Sequence, residues 1–269
     1  MNRLILPLIG LLLCACGGRP LAVAATPTPP VPQYCRLHVE GRWVKGARGE
    51  VVILHGAQLP TLTEMAASDR KPAWWLNALA GAGARVVRLP VDQGEITPTF
   101  VPAVVSPFID QANAQGMLVI LAYRNDLRQT VRDQGEAAED WLRLALTYLR
   151  NVPGVWFQPF EQAISTPKWQ AINQRMLDVV RGFRADNVVV VHQPDWLRQA
   201  PRALLNGSNV VYSVADLSGW PLDEAPFIRA AFDGRDAPAV EAAQVWSIAA
   251  EDAPLEALAP LWQRSQTCK

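Results

Sequence analysis

A single closed barrel of parallel β-strands, each followed by a helix, is the fold that the sequence predicts. Three observations predict it. From about residue 50 onward, apolar runs alternate with helical patterns, which is how strands buried on both faces under helices read. The alternation continues without a mid-chain linker, so one domain carries it. No Gly-x-Gly-x-x-Gly follows the first strand, which disfavours an open nucleotide-binding sheet. The two cysteines of this region, Cys35 and Cys268, stand at its two ends, and a closed barrel brings such ends together.

The elements follow in order. In LHVEGRWVKGARGEVVILHGAQL (37–59), two alternating runs flank Lys45-Gly46-Ala47-Arg48-Gly49. This predicts an N-terminal β-hairpin leading into a buried strand that ends near Gly56. Helices are expected at 72–84, 99–116, 135–151 and 167–185, with strands at 85–91, 117–123, 155–160 and 187–193. Pro167 suits a first helical turn. A short helical stretch (199–207) precedes a strand at 209–215. Residues 223–234 read as a helix, 237–248 contain a strand, and 251–265 form a last helix. That makes seven strands. The prediction is therefore a (β/α)8 barrel short of one strand–helix unit, unless an eighth strand lies around 242–248.

Composition bounds the function. Of the 269 residues, 50% are apolar and 19% charged, as in a globular protein with a sizeable core. Lys+Arg and Asp+Glu both number 25, so the sum offers no basic field for nucleic acid or an anionic membrane. The ten tryptophans serve core packing first. Those near strand ends, Trp196, Trp220 and Trp246, together with Tyr123, are candidates for a platform under a flat ligand such as a sugar. The three histidines, His38, His55 and His192, lack metal-ligand spacing, no Gly-x-Ser-x-Gly elbow occurs, and no cofactor is expected.

The N-terminus sets the compartment. MNRLILPLIGLLLCAC has one arginine and a short apolar core, too short for a mature membrane span. Leu13-Cys14-Ala15-Cys16 resembles a bacterial lipobox, with residues 1–15 as signal peptide and Cys16 as the lipidated residue. Residues 16–34, rich in Gly, Pro, Ala and Thr, read as an extended tether, and 35–269 as the barrel domain. The expected location is extracytoplasmic, anchored to a bacterial membrane by lipid. In an exported protein, Cys35 and Cys268 read as a disulfide.

Local patterns across residues 36–246 resemble glycoside hydrolase family 5, the cellulase-like barrels. VVILHGAQL resembles the family's opening strand, GAGARVVRLPV its Gly-x-Asn-x-Val-Arg stretch with Arg88 at the site-supporting arginine, and IDQANAQGMLVILAYR its third helix–strand unit. WLRLALTYLRNVPGVWFQPFEQ resembles the approach to its Asn-Glu-Pro acid/base motif. The resemblance implies a saccharide partner and a site at the strand C-termini. It places Glu161 where the family has Asn, Gln162 where it has the catalytic Glu, and Ala163 where it has Pro. Arg124 falls where a histidine is usual. For the nucleophile the sequence offers Glu241, and Glu161 with Glu241 is the pair to test against the 5–5.5 Å separation of retaining hydrolysis. Asp92, Asp195 and Asp216 each follow a strand and are candidates for the same mouth. The expectation is a catalytically impaired barrel in which Glu161 pairs with Arg88 or Arg124. The alternatives are a non-catalytic structural subunit docked to a membrane or envelope complex, and an active β-glycosidase using Glu161 and Glu241.

The terminal readings have direct tests. Cys16→Ser releases the protein from membranes, whereas an unmodified N-terminus at another position in the wild-type mass spectrum would refute the anchor. Non-reduced protein shows no thiol at Cys35 or Cys268, and the cross-link adds about 4–5 kcal/mol of stability, read as a lower melting temperature after reduction.

Overall fold

The computed structural model describes residues 36–164, 166–194, 204–220, 222–232, 237–250 and 255–263. The predicted leader, Cys16, Cys35, Cys268, Asp195 and Trp196 lie outside these residues. The hairpin comprises β1 (His38–Glu40) and β2 (Trp43–Lys45), antiparallel. Its tight turn is at Gly41, whose φ of 58° suits glycine. The Gly46–Gly49 stretch is a second turn, which brings Val51 back to Lys45.

Eight parallel strands then close into a barrel: β3 (His55–Gln58), β4 (Val86–Val91), β5 (Leu118–Tyr123), β6 (Val155–Gln158), β7 (Val189–His192), β8 (Val210–Val214), β9 (Phe227–Phe232) and β10 (Trp246–Ala249), with β10 pairing back to β3. The unit missing from the sequence reading is β9, within the 223–234 stretch that reads as a helix. Its pairing with both β8 and β10 buries Ile228 and Ala230 as well as Phe227. A strand covered on both faces loses its alternation and keeps only an apolar run. Among the described residues no helix separates β8 from β9, so the alternation of strand and helix that marks the other units is missing here.

The helices conform more closely. α1 (Leu62–Ala67) starts at a reciprocal cap in which Thr61 Oγ1 accepts from the Glu64 amide and Glu64 Oε2 accepts from the Thr61 amide. α2 (Pro72–Ala82) has Pro in its first turn and ends at Gly83 in the left-handed region. A π-helical turn at Val101–Val105 runs into α3 (Ser106–Ala114). α4 (Val131–Leu149) is capped by Thr130 and buries Trp141, Leu142, Ala145 and Leu149. α5 (Trp169–Gly182), α6 (Ala237–Ala243) and α7 (Leu255–Trp262) complete the ring.

Side chains alternate between two cores. One fills the space between strands and helices. The other fills the barrel with Val86, Leu118, Ile120, Trp156, Val188, Val190, Val211, Ile228, Trp246 and Ile248. At its N-terminal end Trp156 and Trp246 stack at 4.7 Å and 16°, and the Trp246 indole donates to Val52 O at 2.8 Å. The hairpin's Val44 joins Val52 and Leu54 in closing this floor. Trp246 therefore supports the base of the barrel, away from the strand ends where a sugar platform was expected.

Two outcomes follow from this packing. A Cβ at Gly56 would lie 1.6 Å from Val86 O, whereas one at Gly81 meets nothing within 4 Å. Gly56→Ala therefore lowers the melting temperature by about 6 °C or more, or abolishes folding, since overpacking costs roughly 1–3 kcal/mol or more. Gly81→Ala, inside α2, is neutral or stabilising by about 1 kcal/mol. His55 is buried against Ser247 (Nδ1 to Oγ 2.9 Å), and burial lowers its pKa from 6.5 to about 4. The folded ring stays neutral while the unfolded chain takes up a proton, so stability is full above pH 6.5 and declines as pH falls toward 4. The loss is about 3 kcal/mol at most. Thermal melts across this range should slope more steeply for wild type than for His55→Asn, and equal slopes would contradict the assignment.

Candidate functional site

The C-terminal ends of the strands carry the chemistry, as barrel geometry favours. The decisive local feature is at the end of β6. There Trp156 faces the barrel interior and Phe157 faces the helices. Strict alternation would send Phe160 and Gln162 inward. Instead Phe160 joins the outer core, Glu161 is 8% exposed, and Gln162 is exposed. The backbone records the cause. The pairing Ala122↔Gln158 would bring the Phe160 amide to Tyr123 O in unbroken register, but the Glu161 amide donates there, at 2.7 Å. One extra residue has been accommodated, as in a β-bulge, and it re-aims the glutamate into the mouth.

A network fixes Glu161 there. Gln58, at the end of β3, donates Nε2 to Glu161 Oε1 at 3.0 Å and accepts at Oε1 from Arg88 Nη1 at 2.9 Å. Arg88 Nη2 reaches Glu161 O at 2.5 Å. His192 Nδ1 lies 3.0 Å from the same carbonyl. Gln158 Nε2 donates to Phe160 O at 2.9 Å, and the Gln162 amide donates to Asn125 Oδ1 at 3.1 Å. Arg88 is fully enclosed, and burial lowers its pKa to about 10 against the opposing pull of Glu161. It remains charged at neutral pH.

Arg124 covers this network from solvent. It binds Glu64 through two nitrogens, at 2.9 and 3.3 Å. Its Nε lies 3.5 Å from Glu161 Oε2 and 3.9 Å from Asp92 Oδ1. The hydrogen bond from Arg124 lowers the Glu64 pKa to about 2. Asp92 shifts upward, first through burial and then through repulsion from Glu95 and Glu64, with Arg124 opposing. Glu95 is held away from the opening by the amides of Thr63 and Asp92, both at 2.9 Å.

The remaining candidates scatter. Glu241 lies on α6, not at a strand end, and its helix turn leads to Ala243, whose carbonyl accepts from Arg42 of the N-terminal hairpin. It therefore belongs to the outer wall near the opposite end of the barrel. The expected Glu161–Glu241 pair fails because the strand assigned to 237–248 starts only at Trp246. Trp220 packs at 6.0 Å from Phe227 in the outer core. Tyr123 is buried with its ring 5.5 Å from Trp141. Neither forms a platform at the mouth. Asp216 caps its own turn through the Ser218 amide and hydroxyl. Among the described residues no group of three or more His, Cys, Asp or Glu is placed to hold a metal ion. Sequence reasoning missed Gln58, Glu64 and Asn125. Glu64 had a local signal in the Thr61-x-x-Glu64 capping pattern, but its partner Arg124 is 60 residues away.

Comparison with known proteins agrees with this architecture. A sequence model of the cellulase family (glycosyl hydrolase family 5) matches residues 56–220. No curated protein matches the sequence. Among solved structures, a β-glucanase from Saccharophagus degradans in complex with cellotetraose superposes with a TM-score of 0.68 at 14% identity, covering 82% of this chain and 85% of that one. A β-mannanase from Streptomyces thermolilacinus with mannohexaose gives 0.64 at 16%, covering 80% and 83%. The catalytic domain of a Thermobifida fusca endoglucanase with cellotetraose gives 0.57 at 19%, covering 81% and 73%. At these identities the structural likeness concerns the fold.

The network predicts an asymmetry. Arg88→Met strips donors from Gln58 Oε1 and Glu161 O in a buried setting, at a cost of about 2–4 kcal/mol, and lowers the melting temperature by about 5–15 °C. Gln162→Ala, at an exposed position, changes stability by less than about 0.5 kcal/mol.

Proposed function

The chain belongs to glycosyl hydrolase family 5, and we propose that it is a saccharide-binding member of the family whose hydrolytic chemistry is impaired. We place it outside the cytoplasm of a bacterium, held at a membrane by lipid on Cys16. The observation that carries this reading is Arg124 lying over Glu161. An acid that protonates a glycosidic oxygen must present a protonated oxygen to an open cleft. Here one Glu161 oxygen accepts from Gln58 and the other faces the Arg124 guanidinium. Arg124 is itself tied to Glu64, so freeing Glu161 also means breaking that pair. The family's acid position holds Gln162, an amide with no proton to give in this range.

Saccharide binding is supported by the family membership and by the glucanases and mannanases that share the fold, some with bound oligosaccharides. The Cys35–Cys268 disulfide is supported by where the described chain leaves the fold. Arg36 lines the N-terminal end of the barrel with Leu118 and Val188. The Trp262–Gln263 backbone packs at Gly83, where α2 turns toward β4. The first and last described residues thus lie at the same end of the barrel.

The test is hydrolysis and binding measured together on aryl β-glycosides, soluble β-glucans and mannans. The expected result is retention on an insoluble glucan or mannan with turnover well below about 1 s⁻¹, the low end of ordinary enzymes. Turnover above that level, abolished in Glu161→Ala, would make Glu161 a working acid. Asp92 would then be the carboxylate to examine beside it, because both approach the same Arg124 nitrogen. Absence of any retention would favour the structural-subunit reading.

A further inference from the structure

The end of the barrel opposite the mouth contains a second built feature. A cavity of about 360 Å³ opens there between the hairpin and the strand starts. Its floor is apolar, made by Leu118, Val155, Trp156 and Val188, because the hairpin's Val44 closes only part of the barrel base. Its wall is a rigid asparagine lattice. Asn187 Oδ1 accepts from the Asn151 amide at 2.7 Å, Asn187 Nδ2 donates to Val155 O at 2.9 Å, and Asn209 Oδ1 accepts from the Val39 amide at 2.8 Å. Asn151 links the α4–β6 and α5–β7 turns by accepting from the Asp186 amide and donating to Arg184 O.

Basic residues collect at this end of the barrel. Arg36 lines the cavity, Arg150 adjoins Asn151, and Arg184 sits in the turn that Asn151 holds. All three are exposed, and none makes an ion pair or side-chain hydrogen bond among the described residues. Among the described residues, Asp186 is the one carboxylate lining the cavity. The balanced total charge of the chain hides this local excess, which lies far from the carboxylates around Arg124 at the other end.

We infer that this N-terminal face docks on an anionic lipid bilayer, with the three arginines at the phosphate layer and the mouth pointing away from the membrane. Charge complementarity selects the partner. An anionic leaflet attracts basic groups near its surface, each worth about a factor of five in binding. The apolar cavity floor can take part of an acyl chain or glycerol backbone beneath a phosphate. Chain length agrees, since the proposed lipid site at Cys16 lies only about 20 residues before Arg36, which lines this cavity. The inference takes its setting from the proposed lipid anchor, but the surface is defined by the described residues alone.

The experiment uses the chain from Gly17 onward, without lipid, so that anchoring through Cys16 cannot produce the signal. Its binding is measured by co-sedimentation with vesicles of phosphatidylcholine alone and with vesicles containing one quarter phosphatidylglycerol. Binding is expected to the anionic vesicles only and to weaken with salt. Arg36→Glu/Arg150→Glu/Arg184→Glu should lose about a hundredfold or more with an unchanged melting temperature. Arg70→Glu/Lys71→Glu, at the exposed α1–α2 turn on the mouth side, should lose no more than about twofold. Equal binding to both vesicle types, or equal loss in the two variants, overturns the inference. Displacement by inorganic phosphate beyond that by chloride at matched ionic strength would mark a discrete anion site and also overturns it. Loss of membrane attachment in Cys16→Ser cells is a separate result that bears on the anchor alone.

Discussion

The side-chain period of two along a parallel strand is the constraint on which this molecule depends. Each barrel strand sends alternate residues to the interior and to the helices, so a strand's sequence register decides which groups meet at the mouth. The eight strands keep that register well enough to fill the interior with aliphatic side chains over a stacked tryptophan pair. At the end of β6 the period breaks by one residue, and the break turns Glu161 inward and Gln162 outward. A carboxylate thus stands in the mouth, and the amide side chain of Gln162 beside it is exposed.

Placing a carboxylate there creates an electrostatic problem that the surrounding residues resolve. A buried charge is costly unless paired and hydrogen-bonded. Gln58 serves both partners, donating to Glu161 and accepting from Arg88, so the arginine and the carboxylate are joined through a neutral relay as well as by direct approach to the main chain. Arg124 then balances the three carboxylates of Glu64, Asp92 and Glu161. Its firmest partner is Glu64, which also caps α1. Helix initiation and the occupation of the mouth by a guanidinium are therefore coupled through one side chain.

The two ends of the barrel differ in character. The mouth gathers carboxylates around Arg88 and Arg124, while the base has an apolar cavity lined by Arg36 and braced by asparagines. Two of these asparagines, Asn151 and Asn209, adopt positive φ, a conformation that Asn tolerates better than most residues. Their side chains are thereby free to bond across turns rather than along them. A chain with no net charge can in this way pair its charges at one end and, among the described residues, leave basic side chains without ion pairs at the other, which total charge alone does not reveal.

By itself the sequence determined the class of fold, the N-terminal hairpin, most strands and helices, and the family. These depend on periodicity, caps and the order of local patterns, all of which act over a few residues. It also identified Arg88, Arg124 and Glu161 as residues of one mouth, because strand ends in a closed barrel converge. Tertiary structure alone decided β9, since Phe227–Phe232 becomes a strand through neighbours on both sides and its alanines carry no β preference of their own. It removed Glu241 and Trp246 from the site by moving the last strand a few residues along the chain. It also decided which of Glu161 and Gln162 faces inward. A single amide shifted by one position against Tyr123 makes that choice, and the backbone energy of such a shift depends on how Phe160 and Glu161 pack and pair after it has occurred.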